Sequence, residues 1–347
     1  MSTDRTMAVS SHADLEALPT GSDTLLAAGA RHSFFLSRHW FQLVVKHGMA
    51  PSDAARFLVV REHGEATALL ALNVSRSRAF GLSTPYTCLF APLLSRADAA
   101  PALLAALHPW SVLQLDALDP TADTTTALIA AAAASGHRAR LYDHFGNWQE
   151  PVEGLSWSEY LAQRPGPLRS TVRRKLGRMA RDGGRLDLIV DPVGLEPAIA
   201  AYEDVYARSW KQAEPFPDFN AALMRALASL GKLRLGVYRL DGTPVAAQIW
   251  LLEHGRATVL KLAHDGARRD ASPGTVLTAL MLHHLLDTEN VREIDFGRGD
   301  DDYKKLWASV RRQMIGLLLV HPWRPAGFAA LVRQDAGMMR RRFRALL

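Results

Sequence analysis

Apolar and polar positions along this chain follow two rhythms, and they alternate. In residues 56–74, RFLVVREHGEATALLALNV, two apolar runs flank His63-Gly64, the pattern of a β-hairpin closed by a two-residue turn. Before it, residues 1–30 read as loose and polar, and RHSFFLSRHWFQLVVKHG (31–48) as a short helix with aromatic anchors. After it come an extended run (YTCLFAPLL, 86–94), a helix (RADAAPALLAALHPW, 96–110), a buried strand (SVLQLDAL, 111–118), a helix ending at Gly136 and a strand (HRARLYD, 137–143).

The second half repeats that order. Residues 233–265 read as three antiparallel strands turned at Asp241-Gly242 and His254-Gly255. A helix over 272–287, a strand over 292–297, a short helix in DDYKKLWASV and a last strand over 314–320 follow. Setting Gly64 against Gly242 lays VVREHGEATALLAL over VYRLDGTPVAAQIW, apolar run against apolar run. The match is one of pattern, and it predicts an α/β protein built from two copies of one unit, over 1–153 and 154–347. Between the halves, PLRSTVRRKLGRMARDGG (167–184) spaces Leu168, Val172, Leu176 and Met179 along one helical face and covers the remainder with arginine and lysine. YEDVYARSWKQAEPFPDF (202–219) predicts a helix broken at Pro215 and Pro217.

A chain of 347 residues allows about two domains. Its single cysteine, Cys88, excludes an intrachain disulfide and sits in an apolar run as a packing residue. No run approaches the ~18 apolar residues of a membrane span, and the first residues do not resemble a secretory signal. These features predict a cytoplasmic protein. The net charge of +6 favours anionic partners, a phosphorylated cofactor or a membrane surface above all, with nucleic acid not expected. The terminal segment VRQDAGMMRRRFRALL interleaves arginines with Met, Phe and Leu and suits a peripheral contact with an anionic bilayer.

Candidate chemistry collects in HDGARRDASPGTVLTALML (264–282). Ser272 stands at the N-cap position, Pro273 at the first helical position, and Gly274 and Thr275 follow. The first N–H groups of such a helix are unpaired and, with the helix dipole, form an anion site. Gly274 would let a phosphate approach closely, and Arg268 and Arg269 would add charge-assisted bonds. Near the end of the preceding strand lie Lys261, His264 and Asp265. Strand alternation puts Lys261 and Asp265 on one face and His264 on the other. Three consecutive aspartates, Asp300-Asp301-Asp302, diverge in either a strand or a helix and make a poor metal site, so no metal is expected; Asp301 or Asp302 suits a helix cap instead.

Taken together, RSTVRRKLGRMARDGGRLDLIV, YEDVYARSWKQ, the 240–282 stretch and IDFGRGDDDYKKLWAS resemble the GNAT acyltransferases, in their CelD/BcsL-type branch related to the Fem peptidyltransferases. The resemblance covers roughly 155–325. It implies two tandem GNAT-like units of mixed, mostly antiparallel sheet flanked by helices, the first degenerate and lacking a phosphate cradle. It further implies an acyl-CoA-dependent N-acyltransferase acting on an amine of a lipid or envelope-polysaccharide precursor. In that reading Arg268, Arg269, Ser272, Gly274 and Thr275 hold the donor. His264, Lys261, Asp265 or Asp300 serves as base or orients the amine, with Lys261 paired to Asp265 or Asp295. Tyr303 protonates the departing thiolate, Lys304 reaches a phosphate or substrate carboxylate, and Trp210, Phe216 and the segment around Tyr86 wall the acceptor pocket. A ceramide-forming long-chain transferase, a Fem-like transferase drawing on aminoacyl-tRNA, and a non-enzymatic receptor for an anion such as cyclic di-GMP remain as alternatives.

Overall fold

A computed structural model describes residues 7–344 apart from 76, 180 and 322, and apart from the side chains of 133 and 335–344. The chain folds into two compact units, Met1–Phe145 with Gln313–Leu347, and Gly146–Arg312. The expected boundary at 153/154 kept the last strand with the second half; its packing groups Gln313 onward with the first.

In the first unit, Met7–His12 pairs antiparallel with Ala54–Glu62, which pairs with Glu65–Ser75 and through it with Arg78–Gly81. Arg78–Gly81 runs parallel to Val112–Leu118, and the latter pairs antiparallel with Val310–Val320. Leu58, Leu70, Leu104, Leu115, Leu128 and Leu317 meet in its core. Residues 1–30 therefore depart from expectation: they carry an edge strand and the helix Ser22–His32. The extended run over 86–94 is also corrected, since only Leu93–Leu94 is strand.

The second unit orders its sheet as Arg138–Pro151 (its 146–151 part), Glu293–Arg298, Arg256–His264, Thr243–Glu253, Leu233–Leu240 and Gly184–Ile189. Only Arg256–His264 and Glu293–Arg298 run parallel. Every residue from Val245 to Leu251 is buried, which requires cover on both faces of the central strand. The helix Pro273–Asp287 supplies part of that cover, packing Leu277, Met281 and Leu285 with Trp250, Ile294 and Phe296. The basic helix Gly166–Met179 contributes Leu168 and Val172 to the same core, as its spacing predicts.

Three hairpin turns share one solution. His63-Gly64, Asp241-Gly242 and His254-Gly255 all have positive φ at both residues, the mirror-image turn whose twist matches paired strands. The helix expected to reach Pro215 ends earlier, as Leu195–Ala207, and a second helix, Phe219–Ser229, follows. No helix among the described residues is long and apolar enough to cross a membrane.

Candidate active site

Strands Arg256–His264 and Glu293–Arg298 pair only through Arg256–Thr258 and Glu293–Asp295. Beyond that point they part. On its other side the first strand carries a bulge, since Trp250 opposes Val259 while Ile249 opposes Lys261, leaving Leu260 extra. The partner strand is bent by Asp295, whose Oδ1 accepts from Gly297 N (2.7 Å) and from Asn147 Nδ2 (2.6 Å) and whose Oδ2 accepts from Gln149 Nε2 (3.1 Å). Gly297 takes φ 63° there.

At the end of the bulged strand the helix Pro273–Asp287 begins, and a cavity of about 390 Å³ opens against its first turn, lined by Trp210, His264, Arg269, Ser272, Pro273, Gly274 and Thr275. Ser272 occupies the N-cap position, but in the left-handed conformation (φ 53°) and with no capping hydrogen bond from its side chain. The N–H groups of Gly274 and Thr275 meet no acceptor among the described residues, which leaves two donors and the positive end of the helix facing the cavity. A buried polar chain fixes this turn: Trp250 Nε1 donates to Gln248 Oε1 (2.8 Å), Gln248 Nε2 to Thr278 Oγ1 (2.6 Å), and Thr278 Oγ1 to the Gly274 carbonyl (2.9 Å). A Cβ on Gly274 would lie 3.1 Å from His264 Cδ2, so the missing side chain makes room for the histidine ring.

Trp210 lies over His264 with ring centroids 4.3 Å apart. Burial is the main cause that lowers the His264 pKa from its ordinary value, so the ring is neutral at neutral pH. Its Nδ1 lies 3.3 Å from the Asp265 carbonyl, which can only accept; the proton therefore sits on Nδ1 and Nε2 is left as an acceptor.

A second group of charges stands beside this cavity, and of its members the sequence singled out only Lys261. Lys261 Nζ pairs with Glu214 Oε1 at 2.7 Å, not with Asp265 or Asp295. Lys211, half-buried and set 5.8 Å from the Trp210 ring, feels Lys261, Glu214, Asp301 and Lys304. Burial first and the Lys261 charge second push its pKa down to about 8. Tyr206 donates its hydroxyl to the Gln212 carbonyl (2.9 Å), and burial with the neighbouring Glu214 raises its pKa. These residues come from the segment after Ala207, which folds back because Arg208 binds Asp265, the Pro244 carbonyl (2.6 Å) and Asp204 (2.7 Å).

Several candidates hold structural posts instead of standing free. Asp265 is buried, paired to Arg208, and accepts from Ala267 N at 2.8 Å. Asp300 is held by Arg311 Nε (2.9 Å) and Trp148 Nε1 (2.9 Å), and the Arg311 bond keeps its carboxyl below the usual range. Lys304 is almost wholly buried and donates to the carbonyls of Arg298 and Gly299, binding the 298–304 loop to itself. Asp301 and Asp302 pair with Lys304 (3.4 Å) and Lys305 (2.7 Å), and neither caps the helix Lys304–Trp307. Among the described residues no group of histidines, cysteines and acids is arranged to hold a metal.

Tyr303 is half-buried against the core of this unit, and burial raises its pKa, so the phenol stays protonated. Arg268 is exposed, and neither it nor Phe216 lines the cavity. Tyr86 is a buried residue of the first unit, its N–H bonded to Thr84 Oγ1 at 3.1 Å.

Residues 167–305 match the family model of the acetyltransferase (GNAT) domain. Solved structures similar over most of the chain include FemX (15% identity, TM-score 0.59, covering 86% of this chain and 94% of that one). Another is the C-terminal domain of a putative lysylphosphatidylglycerol synthetase from Agrobacterium fabrum (14%, 0.56, 91% and 95%). A third is a tandem GNAT protein from the clavulanic acid biosynthesis pathway (17%, 0.51, 92% and 100%). At these identities the likeness shows the fold, a mixed α/β pair of GNAT-like units. No curated protein matches the chain.

Proposed function

We propose that the second unit transfers an acyl group from acyl-CoA to an amine. The observation that carries this reading is the uncapped start of the helix Pro273–Asp287, with two unpaired N–H groups and Arg269 facing a cavity at the end of the strand Arg256–His264, which further back pairs with Glu293–Arg298 only over its first three residues. A diphosphate suits such a place, because backbone donors and a guanidinium answer its charge without a metal. The parted strand edges leave room for the thioester beyond it. The amine nitrogen then attacks the thioester carbonyl carbon; a C–N bond forms and the C–S bond breaks. Lys211, with its pKa near 8, takes the proton the amine sheds, and Tyr303 supplies one to the departing sulfur. Lys261 and Glu214 position Lys211, and Asp265, Asp300 and Lys304 are assigned to holding the loops. His264 completes the cavity wall as a neutral acceptor.

An amine on a lipid or envelope-polysaccharide precursor remains the proposed acceptor. It rests on the resemblance to the CelD/BcsL-type branch, and it goes with a peripheral hold on the inner membrane face through the basic surfaces. A second reading has one observation in its favour. Arg173, Arg174 and Arg178 stand exposed along the basic helix and suit the phosphates of an aminoacyl-tRNA donor. A thermal-shift panel of acetyl-CoA, long-chain acyl-CoA, aminoacyl-tRNA and cyclic di-GMP distinguishes these readings, since a ligand of the native state raises the midpoint by mass action. The acyl-CoAs are expected to raise it. A shift with aminoacyl-tRNA alone would move the donor to the second reading, and a shift with cyclic di-GMP alone would remove the enzyme.

A further inference from the structure

The first unit carries apolar side chains that its own core does not use. They belong to the turn and the helix that follow the strand Val310–Val320. This helix, Pro325–Arg344, is fastened to the unit at its start. Ala330 and Leu331 join Val112, Leu318 and Val320 in a small core. A Cβ on Gly327 would collide with the His321 carbonyl oxygen and lie 3.1 Å from that of Ser111, so helix and strand end meet without a gap. The turn between them is held as well: the His321 N–H donates to the Ser111 carbonyl (3.1 Å) and the Arg324 N–H to the His321 carbonyl (3.1 Å).

Three large apolar side chains stay outside that packing. Trp323 is 87% exposed, Phe328 60% and Val332 52%. Phe328 and Val332 are four residues apart and so lie one above the other on the helix, while Trp323 stands in the turn before it. Single exposed apolar residues are ordinary on any surface. Three within ten residues, on a segment fixed by packing and hydrogen bonds, mark a contact site.

Charge selects what covers them. From His321 to Leu347 the chain has six arginines and one aspartate, and Arg333, beside Val332, is exposed. A second copy of the chain would bring like charges together. A surface with an apolar interior and anionic headgroups answers both the side chains and the arginines. The indole of Trp323 suits the boundary of such a layer, with an apolar ring and a polar N–H. No helix among the described residues is long and apolar enough to cross a membrane, which leaves this one to lie in the plane of the surface.

We propose that Trp323, Phe328 and Val332 insert into the headgroup boundary of an anionic bilayer, with the helix Pro325–Arg344 lying along it and its arginines answering the lipid phosphates. This rests on the membrane contact proposed above, to which it adds an apolar part that salt does not screen. It is independent of the acyl donor.

Co-sedimentation of the full chain with phosphatidylcholine vesicles, pure or mixed with phosphatidylglycerol, at low and high salt tests it. The chain should bind the mixed vesicles, and high salt should weaken that binding without abolishing it. The double variant Trp323→Ser, Phe328→Ser should bind at least about tenfold more weakly at either salt, since one buried aromatic side chain is worth that much. Its unfolding midpoint should match that of the native chain, because both side chains are exposed. Complete release of the native chain at high salt, with the variant binding equally at low salt, would leave a purely basic hold and overturn insertion alone. No binding of the native chain to either vesicle would overturn the membrane contact as well. A native dimer that the double variant makes monomeric, without vesicle binding, would assign these side chains to a second copy and overturn the proposal.

Discussion

Lys211 shows what a single position gains from its surroundings. An isolated lysine titrates near 10.4 and is a poor base at neutral pH. Burial beside Lys261 lowers Lys211 to about 8, so deprotonation begins in the working range. His264 is shifted the other way relative to that range: burial lowers it from its ordinary value, and it is already neutral at pH 7. The two are therefore separable. Amine labelling of the intact protein, followed residue by residue by mass spectrometry against pH, should find Lys211 titrating near 8 while exposed lysines label only well above it. Titration of Lys211 with the exposed lysines would withdraw it as the base. Little of this was legible in the sequence. Lys211 and Glu214 lie in a segment that reads as helix up to Pro215, and what ends the helix at Ala207 is a tertiary tie, Arg208 to Asp265. His264, Arg269 and the Ser272–Thr275 segment were legible, because a helix start after a strand announces itself locally. That the carboxylates are engaged was not legible: Asp300 looks available until Arg311 and Trp148 are seen to hold it.

Elements were legible where the signal was local. The three hairpins follow from X-Gly turns, and the helix Pro273–Asp287 from its proline start and apolar stripe. Edge strands were not. Met7–His12 and Gly184–Ile189 have no fully buried face, so their period-two pattern is weak; the inner strand Arg78–Gly81 was missed for another reason, being too short to show a pattern. One glycine matters for how the main helix reaches the sheet. A Cβ on Gly236, in strand Leu233–Leu240, would run into Met281 and come within 3.1 Å of Leu277 Cδ1. Gly236→Ala should lift the helix and lower stability by about 1–3 kcal/mol, the usual cost of overpacking. Chemical denaturation measures it, and an unchanged midpoint would mean that the helix yields without penalty.

At the scale of the whole molecule, the duplicated α/β rhythm was legible and the boundary was not, because the strand Val310–Val320 is divided between the units and the terminal helix Pro325–Arg344 belongs with the first. The basic tail expected at a membrane surface, Arg340, Arg341, Arg342 and Arg344 with Met338, Met339, Phe343 and Leu346, lies outside the described side chains. The central claim concerns the second unit: the donor's phosphates rest on the first turn of the helix Pro273–Asp287. Thr275→Glu addresses it most directly. An acidic residue there suits the helix dipole, so the fold should hold or gain slightly, while the carboxylate occupies the anion's place. Titration calorimetry with acetyl-CoA should show binding to the native protein and at least about a tenfold loss in Thr275→Glu at an equal or higher unfolding midpoint. Equal affinity in the two proteins would contradict the account.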